Sequence, residues 1–424
     1  MNEIFPLVDC NNFFASCERC FNPKLENIPL LILSNNDGCV IARSEEAKAY
    51  SIPMGIPAFK LKSTFAIPDL KMLSSNFSLY GDMSNRVVQI LSKYASQIEV
   101  YSIDEAFLRL ENMKINDFEE YGRLIVEDVK KSLGLPISIG IATSKTLAKI
   151  ANRKAKKSYG ESKGVSILMN EDEITNYLKI LKIEDVWGIG HRTTRFLNSK
   201  GIYTALEFRN CSQQWIRDQL GVNGSRKRLE LFGECCIELE DIPQRKKGIL
   251  SSRSFGYRLT KKEQLEETVS AYISKASETL RKEGSLANMV TISINTDFHN
   301  TDLPNYYNSY TVTLKSASNY TPDLIKAGLL ALDLIFKSGY EYKKSSVYLS
   351  GLVPIESYQY CLLDEDENKE KKYRLMKSFD KVCKKFGRSA LFYPSQGISQ
   401  PWRSRQENVS PSYTRSWGEL LRVG

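Results

Sequence analysis

Apolar and polar positions alternate in two registers over the first 170 residues. Residues 4–9 form a short apolar run of strand length, ending at Asp9. Residues 82–96 place Met83, Val87, Val88, Ile90, Leu91 and Tyr94 at helical spacing, and residues 118–133 repeat that spacing. Between these helices, residues 98–110 predict two short strands around a turn. Residues 137–141 alternate as a strand does. Residues 22–80 are rich in Pro, Gly and Asn and predict a small inserted subdomain. Strand, helix, hairpin, helix, strand is the succession of a split βαβ sheet.

The pattern then changes. Residues 171–240 read as all-helical, punctuated at Gly188-Ile189-Gly190 and at Gly221-Val222-Asn223-Gly224. The polar stretch Gln244-Arg245-Lys246-Lys247-Gly248 marks a linker over 241–250. Beyond it, strands at 250–259, 289–298, 309–315 and 345–352 and helices at 263–283 and 322–338 repeat a β-α-β-β-α-β order. The acidic run Asp364-Glu365-Asp366-Glu367 sets another boundary. A basic helix over 370–386 and an irregular aromatic end follow. Five regions result: 1–170 with its insert, 171–240, the linker, 251–355 and 356–424.

Charge refines this division. The 424 residues carry 59 Lys and Arg against 50 Asp and Glu, an excess of nine. Residues 371–424 alone hold twelve basic residues against three acids, so the excess is a poor guide to any one binding face. Two histidines, His191 and His299, are too few for a histidine-rich metal site and too distant in sequence to suggest a relay. No run of about 20 apolar residues crosses a bilayer. The N-terminus lacks a basic region followed by an apolar core, so the expectation is a cytoplasmic protein with no removed leader and no membrane partner. Nine unevenly spaced cysteines suit a reducing compartment. Cys17 and Cys20 form a lone CxxC without the two further ligands that zinc needs, and read as structural thiols, as do Cys235 and Cys236.

The chemistry lies in three acids. Asp9 ends an apolar strand, where a carboxylate is costly without a cation or a hydrogen-bond partner. Asp104 and Glu105 sit at the turn of the 98–110 hairpin. A split βαβ sheet makes the first strand and the hairpin neighbours, so the three can converge. Divalent cations would relieve their repulsion, Mg²⁺ prefers oxygen ligands, and two ions about 4 Å apart suit in-line phosphoryl displacement. The same residues also suit a helix cap and an exposed turn. From Lys145 to Lys163 there are seven basic residues (Lys145, Lys149, Arg153, Lys154, Lys156, Lys157, Lys163) against one acid, Glu161. That run is either a solvated helix face or a set of ammonium groups aimed at a triphosphate.

Five blocks carry a resemblance: Asp9-Cys10-Asn11-Asn12-Phe13-Phe14-Ala15-Ser16-Cys17-Glu18; Ser34-Asn35-Asn36-Asp37-Gly38-Cys39-Val40-Ile41-Ala42-Arg43; Asp82-Met83-Ser84-Asn85-Arg86; Tyr101-Ser102-Ile103-Asp104-Glu105-Ala106-Phe107; and Val186-Trp187-Gly188-Ile189-Gly190. They resemble Y-family translesion DNA polymerases, in particular the UmuC branch that supplies the catalytic subunit of bacterial DNA polymerase V. The similarity spans essentially the whole chain. It implies an α+β multidomain, right-hand polymerase: a ferredoxin-like palm (1–170) with small fingers (about 22–80), a helical helix-hairpin-helix thumb (171–240) and a β-α-β-β-α-β little finger (251–355).

The resemblance also implies roles. Asp9, Asp104 and Glu105 would hold two Mg²⁺ ions, with the Cys10 carbonyl as a further ligand. Phe14 would be the steric gate against a ribose 2′-hydroxyl, beside Phe13 in the nucleotide site. Lys156 would contact triphosphate oxygens. Many relatives carry Tyr-x-x-Arg in the fingers, where this chain has Glu45-Glu46-Ala47-Lys48. Lys48 is a point charge without the arginine fork, and Arg43 is a candidate to compensate. Gly188 and Gly190 would meet a DNA phosphate through main-chain N–H groups, and Arg253 would contact duplex phosphates. Gln359, Leu362 and Leu363 fall where bacterial relatives carry a sliding-clamp peptide of Gln-Leu-x-Leu-Phe type. Gln359 and Leu362 agree with it, while Tyr360 and Leu363 depart. Implied partners are primer-template DNA, deoxynucleoside triphosphates, the sliding clamp, a processed UmuD dimer contacting the basic tail, and RecA, in a nucleoid-associated setting. The rival reading is a non-catalytic DNA-binding or clamp-docked accessory protein.

Overall fold

In the computed structural model the chain forms two compact units. Residues 1–34, 39–243 and 408–424 make the first, and 35–38 with 244–407 make the second. The structure describes every residue except 1–2, 66, 111–112, 114, 240–244, 301, 359–368, 388–389 and 421–424, and only the main chain of Lys62 and Lys369.

The first unit opens with β1 (Phe5–Cys10) and α1 (Phe13–Phe21). A small sheet follows, made of β2 (Leu30–Leu33), β3 (Val40–Arg43) and, after the short helices α2 (Glu45–Ala49) and α3 (Ala58–Thr64), β4 (Lys71–Ser74). Its order is β3-β2-β4, and Leu31, Leu33, Val40, Ala47, Ile52 and Leu61 give it a core of its own. The chain returns through α4 (Phe77–Leu91), β5 (Gln97–Val100), β6 (Glu105–Arg109), α5 (Phe118–Leu133), β7 (Ile137–Ala142), α6 (Lys145–Lys157), α7 (Tyr159–Ser162) and β8 (Val165–Leu168). Polar caps set where these helices begin: Asn76 accepts from the Leu79 N–H, Asp117 from Glu119 and Glu120, and Ser144 from Leu147. The cap at Asn76 starts α4 five residues before the periodic stretch that announces it. Gly134 ends α5 at a φ of 72°, a left-handed conformation that glycine adopts without strain.

The main sheet runs β5-β6-β1-β7-β8, with β1 antiparallel to both β6 and β7. Both of its faces are covered, so all six residues of β1 are buried. Strand alternation divides them. Val8 and Cys10 join the core with Leu79 and Met83 of α4 and Ile125 and Val129 of α5. Phe5 and Leu7 join the opposite core with Phe107 of β6 and Leu147, Ile150 and Ala151 of α6. Asp9 shares the parity of Phe5 and Leu7, and Glu105 that of Phe107. Both acids therefore fall on the α6 side of the sheet.

Four helices extend that second core: α8 (Glu171–Ile180), α9 (His191–Ser199), α10 (Ala205–Asn210) and α11 (Gln213–Glu230). Gly221, at a φ of 68° and a ψ of −166°, is non-helical and separates two helical segments within α11, at the glycine-punctuated turn of the sequence reading.

The second unit contains β9 (Gly248–Leu259), α12 (Lys262–Lys282), β10 (Ser285–Asn295), β11 (Tyr307–Ser318), α13 (Thr321–Ile335) and β12 (Tyr342–Pro354). Its antiparallel sheet is ordered β11-β10-β12-β9, and Val269, Ile273, Leu324 and Leu332 of the two helices pack on Val290, Ile292 and Val347. A basic helix, α14 (Lys369–Phe386), is held to α12 by paired hydrogen bonds of 2.7 Å from Arg281 to Asp380. Among the described residues no helix is long and apolar enough to cross a membrane, and the described cysteines are free thiols.

Candidate active site

The antiparallel register sets Asp9 directly opposite Glu105, and the Cys10 N–H donates to the Asp104 carbonyl at 2.9 Å. The turn that precedes Glu105 is closed by Ser102. Its hydroxyl donates to Asp104 Oδ1 at 2.5 Å and accepts from the Glu105 N–H at 3.1 Å. All three acids of the sequence reading thus meet at one end of β1 and β6. The Cys10 thiol is buried in the α4/α5 core, where burial and then the nearby Asp9 and Asp104 push it above its ordinary value.

Helix α6 lies against this side of the sheet and gives one lysine to each of three adjacent strands. Lys145 pairs with Glu99 of β5 at 2.6 Å, Lys149 with Glu105 of β6 at 2.8 Å, and Lys156 with Asp9 of β1 at 2.6 Å. Lys145 is buried, also donates to the Glu238 carbonyl at 2.8 Å, and lies 5.0 Å from the Phe107 ring centre. Lys149 sits 4.4 Å from the Tyr101 ring and 5.3 Å from that of Trp187, whose indole N–H donates to the Tyr101 hydroxyl at 3.1 Å. Of the seven basic residues in the run, Lys156 was singled out by resemblance. Lys145 and Lys149 were not, although their spacing of four on the helix after β7 was the available signal.

Asp9 is the most constrained of the acids. It is 7% exposed, and its Oδ1 is buried without a hydrogen-bond partner. Burial pushes its carboxyl up to about 7 against the opposing pull of Lys156, and Glu105 and Asp104 push the same way. Among the described residues no three acidic, histidine or cysteine side chains are arranged as a ready cage for a metal ion. Each acid is instead engaged by its own partner: Lys156, Ser102 or Lys149.

The aromatic pair follows at the start of α1. Asn12 enters the helix in a left-handed conformation, φ 48°. Phe13 is enclosed in the α4/α5 core, 4% exposed. Phe14 is half-buried, stacked on Tyr80 with centroids 4.5 Å apart and edge-on to Phe77 at 5.9 Å. The unexpected Glu45 has a place here. It accepts from Asn12 at 2.9 Å and from Lys48 at 2.8 Å, tying α2 to the entry of α1. Despite partial burial, those two hydrogen bonds hold its carboxyl below the usual range. Arg43 donates to the Ile52 carbonyl within the small sheet's subdomain, while its buried Nε has no hydrogen-bond partner.

Family models match this chain in three stretches. Residues 8–153 match the impB/mucB/samB family, residues 246–362 that family's C-terminal domain, and residues 373–423 a domain of unknown function, DUF4113. Protein UmuC of Salmonella typhimurium is 40% identical over 99% of this chain and the whole of that protein. The chain belongs to the impB/mucB/samB family, the UmuC-type Y-family polymerases. Protein SamB of Salmonella typhimurium is 37% identical over 98% of this chain and 99% of that protein, and DNA polymerase IV of Oceanobacillus iheyensis is 25% identical over 96% of each. Among solved structures, a Y-family polymerase chimera of Dbh and Dpo4 superposes with a TM-score of 0.68, covering 83% of this chain and 99% of that one at 22% identity. DinB from Sulfolobus solfataricus gives 0.51 over the same share of this chain. The fold is that of a Y-family polymerase.

Within that family fold, the remaining expected residues take these places. Gly188 has a φ of 77° and Gly190 caps α9. The Lys227 ammonium donates to the Trp187 carbonyl at 3.3 Å and fills the space where a Cβ on Gly188 would project. Arg253 is exposed on β9 and donates to the neighbouring Ser252 carbonyl at 3.1 Å. Gln359, Leu362 and Leu363 lie outside the described residues.

Proposed function

We propose that this UmuC-type chain is a template-directed DNA polymerase that adds deoxynucleotides to a primer 3′-hydroxyl by two-metal nucleotidyl transfer, in error-prone translesion synthesis during the SOS response. The observation that carries this reading is the meeting of Asp9, Asp104 and Glu105, with a buried Asp9 oxygen left without a partner. The donor set is all oxygen, which suits hard divalent cations. Asp9, Asp104, Glu105 and the Cys10 carbonyl would hold two Mg²⁺. When bound, such ions acidify the primer hydroxyl and shield the triphosphate and leaving pyrophosphate.

The chain's own residues do the rest. Lys156 and Lys149 are point charges on flexible stems, able to exchange a carboxylate for a phosphate oxygen. Lys48 adds a third ammonium from α2. Phe14, braced by Tyr80, presents a rigid ring to the sugar. Phe13, lying in the core, sets the position of that ring and touches the nucleotide less than the resemblance implies. To reach a phosphate, Lys48 would exchange Glu45 and Arg43 would exchange the Ile52 carbonyl.

We assign residues 1–170 as palm with fingers at about 22–80, 171–240 as thumb, 241–250 as linker and 251–355 as little finger. Residues 356–424 carry the clamp peptide (Gln359, Leu362, Leu363) and the family's C-terminal extension. Gly188, Gly190 and Arg253 would hold DNA phosphates without reading bases. Processed UmuD, RecA and the sliding clamp are the proposed partners, in a cytoplasmic, nucleoid-associated setting. Primer extension by the wild-type chain with Mg²⁺ and all four deoxynucleotides, on intact and abasic templates, tests this reading. Extension on both is expected. Tight primer-template binding with no extension on either would favour the accessory-protein rival.

A further inference from the structure

Residues 408–413 are linked through Glu18 to Tyr80, the ring stacked on Phe14. Within the first unit, Val409 lies beside Ser74 at the end of β4, and the Asn408 main chain exchanges two hydrogen bonds with Ser74, of 2.9 and 3.0 Å. The Asn76 amide, whose carbonyl oxygen caps α4, donates to Ser410 Oγ at 3.0 Å. Ser410 Oγ in turn donates to Glu18 Oε1 at 3.1 Å, and the same oxygen accepts from the Tyr80 hydroxyl at 2.7 Å. Tyr80 is the ring stacked on Phe14. Three residues further on, Tyr413 stacks on Phe21 of α1 with centroids 5.1 Å apart and planes 5° from parallel.

Glu18 is the centre of this chain of contacts. It is 0% exposed on α1, one helical turn beyond Phe14, and its other oxygen has no partner. A carboxylate only accepts, so it depends on the donors brought to it. Here these are two neutral hydroxyls, one from α4 and one from the tail. An apolar residue would seal α1 against α4 at less cost in desolvation. A buried acid instead makes the orientation of Tyr80 depend on how many donors it has to share.

We propose that residues 408–413 are a positioning element for Phe14: Ser410 and Tyr413 set Glu18 and α1 so that Tyr80 holds the gate ring in place, which makes selection of deoxyribose over ribose depend on the C-terminus. This assigns a task to part of the stretch whose family model is a domain of unknown function, and it rests on Phe14 being the gate. Removal of Ser410 leaves Glu18 with one donor. Tyr80 then follows Glu18 rather than the tail, and the face it offers Phe14 shifts.

The test uses the full chain and single-nucleotide incorporation, reading the ratio of kcat/KM for ribo- and deoxynucleotides. Ser410→Ala and Tyr413→Ala are each expected to raise relative ribonucleotide use about 3- to 10-fold, less than a whole hydrogen bond to a charged group is worth because the effect reaches the sugar through an intervening ring. Ser410→Thr, which keeps the hydroxyl, is expected to restore the ratio. Phe14→Ala is the control for the gate. With Phe14→Ala already in place, adding Ser410→Ala should change the ratio no further, since the two act through one ring. An unchanged ratio in Ser410→Ala and Tyr413→Ala while Phe14→Ala relaxes selection overturns the tail inference alone. Equal effects of Ser410→Ala with and without Phe14 also overturn it, because the tail then acts elsewhere. An unchanged ratio in Phe14→Ala overturns the gate and the inference together.

Discussion

Two stretches of this chain share the succession β-α-β-β-α-β, yet they fold into sheets of different order. In the first unit the opening strand β1 is interior, with the hairpin strand β6 on one side and β7 on the other. In the second the opening strand β9 is at the edge, paired with β12, and the hairpin strands lie beyond β12. Only the interior placement brings the end of the first strand beside the hairpin turn, and that is where Asp9 faces Glu105. Strand β9 carries no acid and two arginines, Arg253 and Arg258, with Arg253 opposite the neutral Ser345. One sheet gathers carboxylates under a lysine-bearing helix. The other leaves Arg253 exposed on its edge strand, while Arg258 is paired with Glu341. The same succession of elements thus gathers acids at a strand end in one sheet and leaves an edge strand with an exposed arginine in the other.

The contrast can be broken from either side. Lys156→Ala strips the charge that faces Asp9 in the first sheet. It is expected to lower kcat/KM for the incoming nucleotide about 10- to 100-fold, mainly through KM, with partial recovery in Lys156→Arg. Steady-state incorporation measures this, and an unchanged KM would place the lysine outside the triphosphate site. On the second sheet, Arg253→Ala is expected to leave kcat alone, weaken primer-template binding by about 1 kcal/mol and reduce the salt slope of binding by about one. A loss of kcat at constant DNA affinity would erase the distinction between the two sheets.

The smallest expected effect concerns stability. Burial raises the Glu18 carboxyl above its ordinary value, despite hydrogen bonds from Tyr80 and Ser410. The unfolded chain therefore releases this proton first, and folding stability falls as pH climbs from the ordinary carboxylate range through the raised folded value. Glu18→Gln removes that contribution, so thermal unfolding followed from pH 4.5 upward, a start set by the ordinary Glu value, should decline less steeply in the variant. Parallel curves would mean that Glu18 is not ionised on unfolding in that window.

Much of the first site was legible in the sequence because it depends on short-range rules. A short apolar run places Asp9 at a strand end, a hairpin turn places Asp104 and Glu105, and the split βαβ plan makes them neighbours. The pairing of Lys149 with Glu105 and Lys145 with Glu99 was not legible. It depends on the angle at which α6 crosses the sheet, which no spacing along the chain encodes. The edge position of β9 escaped for a similar reason, since one element succession is compatible with two strand orders. Glu45, a departure from the family's usual tyrosine, becomes intelligible only once Asn12 is seen at 2.9 Å. The contact of Ser410 with Glu18 spans 392 positions and had no local signal at all.

The central claim is that the acids brought together by β1 and β6 are the catalytic centre. Single-turnover primer extension by Asp104→Ala, with primer-template affinity measured on the same preparation, tests it most directly. Asp104 is only partly buried and its side-chain partner is the Ser102 hydroxyl, so its loss should spare the fold. Extension is expected to fall by about 10³-fold or more while DNA affinity stays near wild type. Extension at the wild-type rate would contradict the assignment of this site.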